Sequence, residues 1–132
     1  MDLETFRQDS LYAAMSRLVE KCFPDEDISF FSVFCNCISY GCHTFMHQDG
    51  GEDCFSALYY ANPEWNVDWG GETTFFDDDG DAIACIAPVP GRIIVLDGRI
   101  QHRAGMPSRS CPRRRYTISL RCDLEEGAAR RS

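Results

Sequence analysis

The sequence predicts a mainly β protein: a double-stranded β-helix, or jelly roll, of about eight strands with one supporting N-terminal helix. Three observations lead there. Short β-branched and aromatic runs recur from residue 28 to residue 122, each closed by a cluster of Gly, Pro, Asn or Asp. Eight such runs can be counted, the number that two jelly-roll sheets require. No strand–helix alternation supports a parallel sheet.

The elements follow in chain order. Residues 10–22, SLYAAMSRLVEKC, put Leu11, Met15, Leu18, Val19 and Cys22 on one helical face and Arg17, Glu20 and Lys21 elsewhere. Asp9 or Ser10 can cap the first turn, and Phe23-Pro24 ends the helix. Residues 28–40, ISFFSVFCNCISY, read as the first strand, with Cys35 and Cys37 on one face and expected in the core. Further strands are expected at 43–47, 54–61, 71–77, 82–87, 91–96, 101–105 and 114–122. The turn signals DGGED, NPEWNVDWGG, DDDGD, PVPG, DG and PSRSCP separate them. Trp65 and Trp69 lie in the longest connection, where they either cover the core or form a lid over the barrel mouth. DDDGD lacks the ligand spacing of a calcium loop and reads as a solvated turn.

A chain of 132 residues, 44% of them hydrophobic, suits one domain over 1–132 with its barrel core at about 28–122. The formal charge of −8 disfavours general affinity for nucleic acid, although Arg99, Arg103, Arg109, Arg113, Arg114, Arg115 and Arg121 gather late in the chain. No apolar run is long enough to span a membrane. The eight cysteines contain no C-x-x-C, and the polar N-terminal residues MDLETFRQDS show no secretory signal. Reduced thiols in a cytoplasmic protein are therefore expected.

The chemistry concentrates around FMHQDGG, residues 45–51. On an extended segment His47 and Asp49 share a face and can point into the barrel mouth. A third ligand has to come from another strand, and His102 opens the seventh expected strand, which can neighbour the second in a double sheet. Two histidines and one carboxylate form the facial set of non-haem Fe(II) oxygenases, which leaves positions open. An isolated H-x-D can equally be the polar end of a hairpin, and His43 offers a competing pair with His47, as in a cupin-like metal barrel. On the last strand, one arginine of the run Arg113, Arg114, Arg115 can turn inward and bind a carboxylate through two parallel hydrogen bonds.

Taken together, Tyr40-Gly41, His47-x-Asp49, Gly70-Gly71-Glu72 with Phe75, Pro90-Gly91, Asp97-Gly98, His102 and Arg115-Tyr116 form an ordered set. That set resembles the Fe(II)- and 2-oxoglutarate-dependent oxygenases of the prolyl 4-hydroxylase type, most closely small bacterial and phage members carrying NPEWNVDWGGET. The resemblance covers about residues 28–122 and implies the jelly roll already read from strand spacing. It implies Fe(II) on His47, Asp49 and His102, with 2-oxoglutarate and O2 as cosubstrates and ascorbate as an accessory reductant. It implies that Arg115 binds the far carboxylate of 2-oxoglutarate, with Arg113 the runner-up and Tyr40 reaching the same group. The implied reaction hydroxylates an unactivated C–H of a peptidyl proline or a small molecule, giving succinate and CO2. The carboxylate of Asp49 favours hydroxylation, because related halogenases lack it. The alternative is a non-catalytic jelly-roll or cupin-like metal-binding module. Two departures stand out: one helix where many relatives carry longer N-terminal helices, and a short connection from Tyr40 to His47.

Overall fold

A computed structural model describes residues 1–124; residues 125–132, the end of the expected domain range, lie outside the described residues. The described elements are α1 (Leu3–Phe6), α2 (Ser10–Cys22), β1 (Ile28–Ile38), β2 (Cys54–Tyr60), β3 (Thr73–Phe76), β4 (Ala82–Ile86), β5 (Ile93–Asp97), β6 (Gln101–Arg103) and β7 (Arg115–Leu124). A single 3₁₀ turn, Val67–Trp69, interrupts the loop between β2 and β3. The strands form two antiparallel sheets, one ordered β1-β7-β2-β5 and the other β4-β3-β6.

The helix expected over 10–22 forms over those residues. The Asp9 carboxylate accepts from Leu11 N–H at 2.8 Å and caps its start. A separate turn of helix, α1, precedes it, capped by Asp2. The apolar face of α2 lies against the outer face of the four-stranded sheet. There Met15 and Val19 meet Val33, Ala57, Leu120 and Cys122, with Phe6 of α1 completing the buried cluster. Phe23 stacks on Phe55 at 4.4 Å between ring centroids and closes the end of the helix onto β2.

Two sequence expectations need correction. Residues 43–47 form no strand. Among the described residues their one ladder contact is an isolated bridge from His47 to His102, and the sheets hold seven strands rather than eight. Among the described residues Thr44 to Met46 make no backbone–backbone bonds, whereas His47 N–H donates to His102 carbonyl at 2.9 Å and receives the reciprocal bond at 2.9 Å. Cys35 and Cys37 are exposed rather than core. They do share the outer face of β1 with Val33, but only Val33 belongs to the cluster packed by the helices. None of the eight cysteines is in a disulfide.

Alternation along β7 sets up the site. Leu120 and Cys122 face α2, while Arg115, Thr117, Ser119 and Arg121 face the space between the sheets. Asn36 and Phe34 of β1 pair with Thr117 and Ser119, and Ser56 of β2 pairs with Arg121. These positions line one cavity of about 240 Å³ between the two sheets.

Candidate metal centre

His47, Asp49 and His102 converge at that cavity, with their ligand atoms within 4.8 Å of one another. Asp49 Oδ1 lies 3.3 Å from His47 Nε2 and 3.5 Å from His102 Nε2. Backbone geometry brings them together. The reciprocal bridge fixes His47 beside His102, and the Gly50 N–H donates to Gly98 carbonyl at 2.9 Å, which closes the turn after Asp49.

Each imidazole is oriented from behind. His47 Nδ1 lies 2.9 Å from Phe45 carbonyl, and His102 Nδ1 lies 3.0 Å from Ile100 carbonyl. A carbonyl only accepts, so each Nδ1 carries a proton, and in the neutral imidazole each Nε2 presents its lone pair inward. Ser56 Oγ donates to Asp49 Oδ2 at 2.8 Å and Arg121 Nη2 donates to Asp49 Oδ1 at 3.2 Å. Two neutral nitrogen donors and one carboxylate oxygen on one side of a cavity fit a divalent transition metal with positions left for other ligands. The Asp49 side chain is 6% exposed and His102 9%, whereas His47 is 51% exposed and stands at the rim.

Arg115 sits at the other end of the cavity wall and is 1% exposed. Its Nε donates to Gly71 carbonyl at 2.7 Å and its Nη2 to Thr73 Oγ1 at 2.9 Å. Tyr60 and Thr73 share a 2.7 Å hydroxyl contact, and the Arg115 guanidinium lies 5.5 Å from the Tyr60 ring centroid. Burial lowers the Arg115 pKa and raises that of Tyr60, so the phenol is held neutral beside the cation. Gly71 has φ +80°, and a Cβ there would meet Trp65 at 3.0 Å and Arg115 Cδ at 3.3 Å. The second glycine of Gly70-Gly71 thus lets the backbone carbonyl reach Arg115.

Other expected site residues lie elsewhere. Arg113 pairs with Glu64 at 2.6 Å on the surface and does not line the cavity. Tyr40 lies beyond the end of β1, 55% exposed, and also misses the cavity. His43 is exposed and packs on Phe45 at 4.2 Å, outside the ligand cluster. Trp65 and Trp69 pack edge-to-face at 5.4 Å, with Trp65 Nε1 donating to Gly70 carbonyl, and neither lines the cavity. Asp77 Oδ1 accepts from Asp79 and Asp81 N–H, which makes DDDGD a self-bonded turn. Sequence reasoning missed Arg121, Ser56 and Thr73. Arg121 carried a readable signal, since Arg115, Thr117, Ser119 and Arg121 are spaced two apart and must share a face.

The model of the 2OG-Fe(II) oxygenase superfamily matches residues 33–120. The chain belongs to this superfamily. Its cofactors are Fe(II), 2-oxoglutarate and O2, and His47, Asp49 and His102 could hold the iron of a 2OG-Fe(II) oxygenase. Solved structures share the fold. A prolyl hydroxylase from Trichoplax adhaerens, in complex with a hypoxia-inducible-factor oxygen-degradation-domain peptide fragment, matches with TM-score 0.70 and 23% identity, over 92% of this chain and 58% of that one. A prolyl 4-hydroxylase from Phytophthora capsici matches with TM-score 0.65 and 20% identity, over 95% of this chain and 46% of that one. A prolyl-4-hydroxylase from Pseudomonas putida matches with TM-score 0.55 and 23% identity, over 86% and 60%. This chain therefore spans roughly half to three-fifths of the length of those structures. No curated protein matches it. No helix among the described residues is long and apolar enough to cross a membrane.

Proposed function

We propose that this chain is an Fe(II)- and 2-oxoglutarate-dependent dioxygenase that hydroxylates an unactivated C–H of a peptidyl proline or a small molecule. The observation that carries the reading is the convergence of His47, Asp49 and His102 on the cavity that also holds the buried cation Arg115. In this reading the triad holds the metal and Arg115 holds the carboxylate of 2-oxoglutarate remote from it. The iron with bound 2-oxoglutarate supplies the oxidising chemistry, which ends in succinate, CO2 and a hydroxylated product.

The chain's own residues position and shield. Phe45 and Ile100 carbonyls hold both imidazoles in the tautomer that presents Nε2. Ser56 holds Asp49 Oδ2 and leaves Oδ1 toward the histidines. Arg115 is already fixed by Gly71 and Thr73, so an incoming carboxylate meets a preorganised guanidinium whose burial cost it offsets. Exposed thiols at Cys22, Cys35, Cys37, Cys42 and Cys85 support a reducing, cytoplasmic setting.

Anaerobic titration with Fe(II) and then 2-oxoglutarate tests this. A weak visible charge-transfer band should appear, and succinate should form on admitting air. Absence of both overturns the oxygenase and leaves a binding module.

A further inference from the structure

Arg121 is the cavity's second arginine, and nothing proposed above uses it beyond its touch on Asp49. Its Cζ rests 4.8 Å from the Phe34 ring centroid, so the ring backs the cation. Among the described residues, one of its N–H groups is bonded, at 3.2 Å to Asp49 Oδ1, which is long for a charge-assisted bond. Arg121 Nε is buried and has no partner among the described residues. The Arg121 side chain is 28% exposed, so water can reach its terminal N–H groups, whereas the buried Nε carries a desolvation cost that a ligand could offset.

Charge points the same way. Of the side chains lining the cavity, Asp49 is the one acid, against Arg115 and Arg121. Divalent iron and dianionic 2-oxoglutarate would cancel each other, so one positive charge remains for the substrate to meet. Arg115 and Arg121 stand six residues apart on one strand face, about 20 Å between Cα atoms at the usual rise. They therefore serve different regions of the cavity, with Asp49 at the Arg121 end. A cation at the triad would share Asp49 Oδ1 with Arg121, and like charges so close repel. A metal held by the triad would weaken that contact and leave the guanidinium able to meet a ligand in the cavity.

We propose that Arg121, backed by Phe34, reads a carboxylate on the substrate, so that the substrate is an organic acid whose carboxylate lies close to the oxidised carbon. The inference rests on the oxygenase reading and narrows its substrate to anionic molecules: a free amino acid or other small acid, or a peptide that presents a carboxylate beside the target.

Isothermal titration of the anaerobic Fe(II)–2-oxoglutarate complex with matched acid and amide pairs tests it. L-Proline against L-prolinamide represents the free amino acid, and N-acetylglycine against its amide represents a peptide terminus. At least one acid should bind about tenfold or more tighter than its amide, the worth of a charge-assisted hydrogen bond. R121Q should remove that preference and R121K should restore part of it. Equal affinity for acid and amide in the parent protein, or no binding of either acid, overturns the proposal. So does a preference that survives in R121Q, or an equal loss of acid and amide there, which marks a purely structural role. The 2-oxoglutarate titration that prepares the complex separates the two readings. If 2-oxoglutarate fails to bind, the oxygenase fails; if it binds and the acid preference is missing, only the role of Arg121 fails.

Discussion

The centre of the outer face of the four-stranded sheet is covered by α2, with Met15, Val19, Ala57 and Leu120 completely buried. Among the described residues the three-stranded sheet has no such cover: β4 is exposed from Ala82 to Cys85, and Ile83 is 59% exposed. The difference separates stability from chemistry. The hydrophobic core lies outside the barrel, between helix and sheet. The polar residues lie inside, between the sheets, where Asp49 meets His102 of the three-stranded sheet together with Ser56 and Arg121. Substitutions in the two places should therefore fail in different assays.

The largest effect is expected at the triad. Asp49→Ala should reduce succinate formation to background while the thermal transition stays cooperative, measured by calorimetry on the same preparation. A cupin-like site built on His43 would instead leave turnover nearly intact in that variant. Arg115→Gln should raise the KM for 2-oxoglutarate by about tenfold to a hundredfold, the worth of a charge-assisted bond to a carboxylate. Arg113→Gln should leave that KM within about twofold, since its partner is Glu64 at the surface. An equal effect of the two would erase the distinction between cavity and rim.

On the stability side, Leu120→Ala should cost about 3 kcal/mol in denaturant unfolding, as expected for a fully buried leucine. Its KM values should change far less than those of Arg115→Gln. Ile83→Ser on exposed β4 should stay within about 0.5 kcal/mol. Cysteine chemistry gives a finer reading of the same contrast. Burial pushes the Cys122 thiol up to about 12, from an ordinary value of 9.0. Backbone and side-chain hydrogen bonds from Ser39 lower that of exposed Cys42. Maleimide at neutral pH should label Cys42 well before Cys122, as judged by peptide mass. Because the folded pKa of Cys122 is the raised one, its contribution is fully present below pH 9 and declines as pH rises toward about 12. Unfolding free energy should fall over that window in the parent and fall less in Cys122→Ala.

Much of this molecule was legible because it depends on local pattern. The α2 boundaries followed from helical period and Asp9, and each strand of the two sheets overlapped an expected β-branched run, with β5 running one residue and β7 two residues past the expected ends. His47, Asp49 and His102 could be grouped because residues two apart share a face and few histidines exist. The false strand at 43–47 shows where pattern fails: an extended apolar stretch becomes a strand only if a partner offers its backbone, and here only His47 found one. The same limit misplaced Cys35 and Cys37, because face alternation says which side a residue takes but not whether a helix covers it.

Residue order by itself determined the alternating β pattern, the supporting helix and the identity of the potential ligands, since each depends on neighbours a few positions away. Tertiary structure decided which of Arg113, Arg114 and Arg115 lines the cavity, and that Tyr40 stays outside it. It also placed Arg121 on Asp49, 72 residues away in sequence. Those outcomes depend on the register of β7 against β1 and β2, a long-range pairing that no local spacing encodes.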